Sequence, residues 1–338
     1  MSLTHANGRR FDVVGIGNAV MDVIAPVDEA LLARLGVEKG VMQLVDRERS
    51  EALTGALGEH AARMIPGGSV ANTLDGIARL GLGTAFIGRV ADDEIGRAYA
   101  RDTEAAGCAF VNPAVAGATL PSSRSIILVT PDGERSMNTW LGISAELSGA
   151  DVDTGVFAGG PWLFLEGYLF DRPEGKAAFL KAAEACHAAG GQAGIALSDP
   201  FCVERHREDF RRLVAGPMDY VIGNVHEWTA LYQTTDLDAA LARAVEDCGT
   251  VICTRSGDDA ILIRGDERAT APVNRLTPVD ATGAGDQFAA GLIYGLATGR
   301  DLARAGRMGC IAAAEVISHV GARAQADVAA LFRAEGLM

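Results

Sequence analysis

The chain has 338 residues, 49% of them hydrophobic and 22% charged, which is the composition of a globular protein able to bury a sizeable core. Its formal net charge of −14 argues against a nucleic-acid or anionic-membrane surface, because either would require clustered Lys and Arg. No run approaches the roughly 18 apolar residues of a membrane span, and residues 1–10 lack the apolar core of a signal peptide. We therefore expect a cytoplasmic protein with neither nucleic-acid nor membrane partners.

The cysteines and histidines indicate neither a disulfide framework nor a metal site. The six cysteines include no Cys-x-x-Cys pair, which favours buried thiols in a reducing compartment. His226-Glu227 begins like a zinc-protease helix, but Ala230 stands where the second histidine would be.

The N-terminal segment predicts a buried strand, Phe11 to Ile16, that enters a glycine turn. Gly15 and Gly17 begin a dinucleotide-binding pattern, but Val20 occupies its third glycine position. A Rossmann-type dehydrogenase is therefore the least favoured interpretation.

Three later stretches continue the chain as strands and a helix. Lys39 to Val45 alternates loosely and predicts a strand, and Gly67 to Leu80 reads as a glycine turn followed by a helix. Ser123–Val129 and Arg135–Thr139 flank the turn Pro131-Asp132-Gly133, which predicts a hairpin.

From Asp151 onward, predicted strands and helices alternate, which implies a mostly parallel sheet covered by helices on both faces. Ligands of such sheets gather beyond the carboxyl ends of the strands. Four polar side chains fall at or just past such ends: Asp199, Asn224, Thr254 and Asp286.

The segment from Thr277 to Phe288 predicts an anion-binding turn that opens a helix. Gly283, Ala284 and Gly285 are small enough for the backbone to approach a ligand, and first-turn amides favour negative charge. Asp286 is a common type of helix cap, but a cap alone would not require three small residues before it. A carboxylate beside a phosphate can take a proton from an attacking hydroxyl, so the turn predicts phosphoryl transfer with Asp286 as general base.

Two motifs in this order resemble the signatures of the PfkB family of ribokinase-like kinases. Asp280-Ala-Thr-Gly-Ala-Gly-Asp286 is similar to the C-terminal signature, and Gly67-Gly-Ser-Val-Ala-Asn-Thr-Leu74 is similar to the N-terminal one. The resemblance implies a three-layer α/β/α core with a mostly parallel central sheet and a small β-sheet lid. It implies one kinase domain over residues 11–325, with lid strands inserted from about 18–45 and 110–142.

The resemblance also assigns residues to a small-molecule acceptor. Asp22 would accept hydrogen bonds from vicinal hydroxyls, and Arg135, a cation on the lid, would follow the transferring phosphoryl group once the lid closes. The other implied acceptor contacts are Asn18, Gly67, Gly68 and Asn72. Ordinary turn and surface roles are the alternatives for Asp22 and Arg135.

ATP and Mg²⁺ are the implied cofactors. Asn224 and Glu227 resemble an element that places Mg²⁺ and the phosphates through water, and a helix-capping pair is a compatible alternative. Thr254, Ser256 and Gly257 resemble the nucleotide loop, in which the family often has Gly where Ser256 stands. The carbonyls around Asp280 and Thr282, with the loop from Ser318 to Arg323, are candidates for a monovalent-cation site, which would hold K⁺.

The segments around Arg135–Gly142 and Glu166–Phe170 resemble the adenosine-kinase-like branch. Tyr168, with Met137 and Leu141, would then sandwich a purine, and core packing is the alternative for each. We expect adenosine as the acceptor; ribose or another sugar, and a non-catalytic nucleotide or sugar sensor, are the alternatives. A monomer and a homodimer both fit the sequence.

Overall fold

Two sheets organise the computed structural model, which describes residues 10–57 and 63–338. Residues 1–9, on which the expectation about a targeting segment rests in part, lie outside the described residues. Within these limits the strands, in chain order from β1 to β14, are Val13–Ile16, Val20–Pro26, Met42–Leu44, Arg63–Gly67, Thr84–Ile87, Cys108–Phe110, Ser123–Val129, Arg135–Trp140, Trp162–Glu166, Gln192–Ala196, Tyr220–Asn224, Thr250–Arg255, Asp258–Arg264 and Glu267–Ala271.

The helices lie on both faces of the larger sheet and on one face of the smaller. Over the same described ranges they are, from α1 to α12, Glu29–Arg34, Arg47–Leu57, Ser69–Arg79, Glu94–Ala105, Pro173–Ala188, Pro200–Arg205, Arg207–Val214, Val225–Tyr232, Leu237–Asp247, Ala284–Ala297, Leu302–Val316 and Val328–Ala334. None of these helices combines the length and the apolarity that crossing a bilayer requires.

The main sheet has the order β14-β13-β12-β11-β10-β9-β1-β5-β6 in the described residues. Every pairing from β6 to β12 is parallel, which confirms the predicted fold class. β13 and β14 instead run antiparallel at one edge. The carboxyl ends of the seven parallel strands therefore meet at one edge of the sheet.

Alternate strand residues face two separate hydrophobic cores. Val14 and Ile16 of β1 pack with residues of α5, α8 and α9, whereas Val13 packs with residues of α3, α10 and α11. This division follows from the period of two along a strand and explains why apolar residues or glycine follow one another through β1, through residues 85–87 of β5 and through residues 162–165 of β9. Burial on both faces holds the helix starts firmly at the carboxyl edge.

The second sheet has the order β3-β8-β7-β2-β4, and α1 and α2 cover one of its faces. The predicted hairpin is present as β7 and β8, paired antiparallel. Two details differ from the expectation. β4 joins the sheet from outside the predicted segments, and β6, at residues 108–110, belongs to the main sheet. β4 brings the Gly67-Gly68 turn to this sheet, because it ends at Gly67.

Candidate active site

Asp286 lies where two helices begin close to the carboxyl edge of the main sheet. Its Oδ1 accepts a hydrogen bond from Ser69 Oγ at 2.7 Å, and its Oδ2 accepts one from Asn72 Nδ2 at 2.9 Å. Ser69 and Asn72 belong to the first turns of α3, and Asp286 belongs to the first turn of α10. The two predicted motifs, far apart in sequence, therefore meet at one carboxylate.

The surroundings of Asp286 suit a base. Burial raises the pKa of this carboxyl above its ordinary value, while the hydrogen bonds from Asn72 and Ser69 and the charge of Arg323 lower it. The net result is a raised pKa together with a fixed orientation. A more basic carboxylate takes a proton more readily, which favours general-base chemistry.

The turn before α10 exposes backbone amides. Gly283 has a φ of 80°, and a Cβ there would lie 2.6 Å from the backbone of Ala322. The amide of Ala284 donates to the carbonyl of Ala281 at 3.2 Å, so it closes the turn and the expectation that it faces an anion is not met. Among the described residues, the amides of Gly283, Gly285 and Asp286 donate to no other group. These three amides, not Ala284, are the available donors.

Asp280 is bound to the second sheet through Arg135. Its Oδ2 accepts hydrogen bonds from Arg135 Nη1 at 3.0 Å and from the amide of Gly321 at 2.9 Å, and its Oδ1 accepts one from the amide of Thr282 at 2.9 Å. Burial acts to raise the pKa of Asp280, but the hydrogen bonds from Thr282 and Gly321 and the charge of Arg135 outweigh it and lower the pKa.

The Asp280 carboxylate is therefore engaged within the protein, and a monovalent cation held by the backbone carbonyls around Asp280 and Thr282 stays a prediction. The Asp280 and Arg135 side chains are only 6% and 7% exposed, so the guanidinium already balances the carboxylate. The amide of Thr282 points its hydrogen at the same carboxylate. In the described part of the chain, no three His, Cys, Asp or Glu side chains are grouped to hold a metal.

Asp22 faces the cleft from the second sheet. A Cβ on Gly67 would lie 2.4 Å from Asp22 Oδ2, and Gly68 has a φ of 94°, so both glycines are required where β4 meets α3. No hydrogen bond from a described residue reaches the Asp22 carboxylate. Burial and the nearby Asp286 raise its pKa to about 7, against the lowering effect of Arg135 and Arg323. An acid left without donors deep in a cleft can accept from the hydroxyls of a ligand.

Asn18 is bound to protein, in contrast to its expected contact with a ligand. Its amide nitrogen and its Nδ2 both donate to Glu166 Oε1, at 2.7 and 3.0 Å, and its Oδ1 accepts from Ser144 Oγ. Asn18 is 4% exposed. The Asn18 side chain is therefore engaged in the floor of the site, and its contact with a ligand stays a prediction.

Tyr168 lies beside the main sheet, whereas Met137 lies on the second sheet. The Tyr168 hydroxyl donates to the carbonyl of Ser198 at 3.2 Å, which holds the ring at the ends of β9 and β10. Met137 and Leu141 belong to or follow β8 of the second sheet, and both are half-buried. Their joint contact with a base stays a prediction.

Asn224 and Glu227 form a reciprocal helix cap. Asn224 Oδ1 accepts from the Glu227 amide at 3.0 Å, and Glu227 accepts from the amide and side chain of Asn224 at 2.8 and 2.7 Å. Burial, together with the charge of Asp199, raises the pKa of Glu227 to about 7, although the Asn224 amide lowers it. Both Glu227 oxygens are used within the cap, so a contact with Mg²⁺ would run through water.

The predicted nucleotide loop follows β12. Thr254 is half-buried, whereas Ser256 and Gly257 are exposed. Ser256 has a φ of 54°, in the left-handed region that favours glycine. Glycine would adopt this conformation with less strain than Ser256 does.

Sequence reasoning missed Ser69, Glu166 and Arg323. Ser69 stands inside a quoted motif and Glu166 ends a strand, so a closer use of the strand-end rule would have found Glu166. Arg323 carries no local signal, because it reaches the site only through the folding of the segment after α11.

An α/β/α core with a second sheet at its carboxyl edge, and a carboxylate between two glycine-rich helix starts, is the arrangement of a ribokinase-like phosphotransferase. The family model described as pfkB family carbohydrate kinase matches residues 41–329. The chain belongs to this family, as the two motifs predicted, and is a sugar or nucleoside kinase.

Three relatives illustrate the range of the family. A probable sugar kinase from Rhizobium etli CFN 42 is 39% identical, with a TM-score of 0.88 over 97% of this chain and 99% of that one. The adenosine kinase from Sinorhizobium meliloti is 40% identical, with a TM-score of 0.87 over 97% of this chain and 100% of that one. A fructokinase from Klebsiella pneumoniae is 29% identical over 71% of this chain and 80% of its own length.

Proposed function

We propose that this protein transfers the γ-phosphoryl group of ATP to the 5′ hydroxyl of adenosine. The observation that carries the proposal is the Asp286 carboxylate, held by Ser69 and Asn72 between the Gly67-Gly68 turn and the free amides of the anion turn. An acceptor hydroxyl on one side and a phosphate on the other would both lie within reach of this base.

In the proposed reaction, Asp22 accepts hydrogen bonds from the ribose hydroxyls and so fixes the acceptor. The 5′ oxygen attacks the γ-phosphorus, its proton passes to a carboxylate oxygen of Asp286, and the bond to the β-phosphate oxygen breaks to release ADP. The amides of Gly283, Gly285 and Asp286 stabilise the charge that develops on the phosphoryl oxygens.

Arg135 is suited to follow that charge. Its Nε is buried and has no acceptor among the described residues, so it is an unused donor beside the Asp280 contact. A phosphoryl oxygen would satisfy it. Mg²⁺, held with ATP through water near Asn224 and Glu227, would supply further neutralisation of phosphate charge.

Adenosine is supported by the 40% identity to an adenosine kinase along the whole chain and by the aromatic ring of Tyr168 beside the strand ends. A sugar kinase is the second candidate, because relatives described as a probable sugar kinase and a fructokinase are 39% and 29% identical.

The test is ADP release from MgATP with adenosine, guanosine, inosine, ribose or fructose as acceptor. We expect adenosine to give the highest kcat/KM, and Asp286→Asn to lower kcat by ~10²–10⁴ because the base is lost. Nucleotide binding by the variant, measured by calorimetry, should stay within a few-fold of the wild type.

Each other outcome has a definite meaning. Turnover of free sugars alone would replace adenosine by a sugar and leave the mechanism intact. Full activity of Asp286→Asn would remove the mechanism. Nucleotide binding without turnover of any acceptor would favour the sensor.

A further inference from the structure

Arg323 belongs to the segment between α11 and α12. It contacts Asn72, which in turn contacts the Asp286 carboxylate. Its Nε donates to Asn72 Oδ1 at 3.3 Å, and its Nη1 donates to Asp75 Oδ1 at 3.2 Å. The Arg323 and Asp75 side chains are 16% and 3% exposed. Asp75 also accepts from Arg79 Nε at 2.7 Å, so a second cation shares this carboxylate.

The contact with Arg323 determines which way the Asn72 amide points. Arg has only donors, so it can face only the oxygen of the Asn72 amide. The NH₂ group of Asn72 then points towards Asp286, where Nδ2 lies 2.9 Å from Oδ2. With the amide reversed, Oδ1 would face the carboxylate and repel it. Arg323 excludes that alternative.

The segment that carries Arg323 is held by other contacts. The amide of Gly321 donates to Asp280 Oδ2 at 2.9 Å, and Gln287 Nε2 donates to the carbonyl of Ala322 at 3.2 Å. The amides of Gln325 and Ala326 donate to Glu315 Oε1. Shortening the Arg323 side chain should therefore leave this backbone in place.

The guanidinium also acts on the site by its charge. It lowers the pKa of Asp286 and of Asp22, against the rise that burial causes in both. Removal of this charge should make both carboxylates harder to ionise.

We propose that Arg323 is a positioning residue for phosphoryl transfer: through Asn72 it orients the Asp286 carboxylate that accepts the proton of the acceptor. This inference rests on the proposed function of Asp286. It adds Arg323, a cation that contacts Asn72 and Asp75, to the residues on which turnover depends.

The test compares Arg323→Met with Arg79→Met. Both variants remove one cation from Asp75, but only the first removes the contact with Asn72. We expect Arg323→Met to lower kcat by ~10-fold, since a misdirected base costs rate, while Arg79→Met stays within about two-fold of the wild type. The acid limb of the kcat–pH profile should move to higher pH in Arg323→Met and not in Arg79→Met.

A double-mutant cycle separates positioning from general loosening. In an Asn72→Ala background, Arg323→Met should lower kcat by less than about two-fold, because the residue through which it acts is gone. The same ~10-fold loss in both backgrounds would overturn the proposal, as would an equal pH shift in Arg79→Met.

A measurement that needs no acceptor distinguishes failure of this inference from failure of the proposed function. ¹⁵N NMR of the free protein should show the side-chain amide signals of Asn72 moving in Arg323→Met and unchanged in Arg79→Met. No shift in Arg323→Met would overturn the inference even if no acceptor is turned over. Should Arg323→Met fail to fold, Arg323→Lys keeps the charge but not the two-pronged contact; it should lower kcat several-fold, and wild-type kcat would overturn the inference.

Discussion

At the scale of single residues, the chemistry of the site comes from side chains that local sequence does not bring together. Ser69 and Asn72 stand 217 and 214 residues before Asp286, yet both donate to its carboxylate. The floor of the site is built in the same way, because Glu166 accepts hydrogen bonds from Asn18 and from the amide of Val70 at the start of α3. Each acid is held by groups from another segment.

Glu166 makes stability depend on pH. Burial raises its pKa from an ordinary 4.5 to about 7, although hydrogen bonds from Asn18 and Val70 lower it. The folded state therefore keeps a proton that the unfolded chain releases, so the contribution of Glu166 to stability is fully present below about pH 4.5 and is lost as the pH rises through 7. We expect the loss of unfolding free energy between pH 5 and 8 to be smaller in Glu166→Gln by about 1–3 kcal/mol.

Urea unfolding between pH 5 and 8 measures the effect as a slope of the free energy of unfolding against pH. Asp266→Asn, which removes an exposed carboxylate, is the matched control and should keep the wild-type slope. Asp22 and Glu227, whose pKa values are also raised to about 7, should leave a residual slope in Glu166→Gln. An unchanged slope in that variant would contradict the assignment to Glu166.

At the scale of elements, the start of α10 combines two glycines with different roles. Gly283 is required by the fold, because its φ is 80° and a Cβ would contact the backbone of Ala322 at 2.6 Å. Gly285 has open space around the position of a Cβ and lies in the first helical turn. Only the approach of a ligand would need a glycine there.

We therefore expect Gly285→Ala to separate stability from activity. The substitution should raise stability by up to about 1 kcal/mol, as alanine favours a helix over glycine. It should lower kcat/KM by ~10-fold or more, because the methyl group would keep the phosphate from the amides. Gly283→Ala is the contrasting variant and should cost about 1–3 kcal/mol of stability.

Thermal unfolding measures the change in stability of each variant, and steady-state kinetics on the same samples measure the change in kcat/KM. Wild-type turnover in Gly285→Ala would show that close approach at this residue is unnecessary.

At the scale of the whole molecule, one buried ion pair joins the second sheet to the core. Arg135 of β8 and Asp280 before α10 are both almost fully buried. Lys39, by contrast, forms its ion pairs with Glu29 and Asp132 at the surface, within the second sheet and its helix. The two cations differ in what they connect.

Arg135→Met should loosen the second sheet, since it leaves the Asp280 carboxylate buried without its cation, a change that typically costs about 3–5 kcal/mol. We expect amide hydrogen exchange over residues 123–140 to become ~10-fold faster or more, and kcat to fall. Lys39→Met removes surface ion pairs worth about 1 kcal/mol or less and should leave exchange near the wild-type rate. Equal exchange rates in both variants would mean that Arg135 does not hold the sheet closed.

The sequence alone determined the fold class, the family and the location of the anion turn. Each is encoded in a short window: apolar strands with a period of two, helices after glycine turns, and two motifs of seven or eight residues. Asp286, Gly283 and Gly67 could be selected because backbone geometry and chemistry limit what can stand at such turns.

Only the tertiary structure decided what these residues contact. Asn18 donates to Glu166, and the Ala284 amide donates within its own turn. Asp280 forms an ion pair with Arg135, and Arg323 donates to Asn72. The tertiary structure also added β4 to the second sheet and reversed β13, which pairs antiparallel with both β12 and β14. Contacts of this kind join segments tens to hundreds of residues apart, and they depend on how every intervening element packs, which no local pattern encodes.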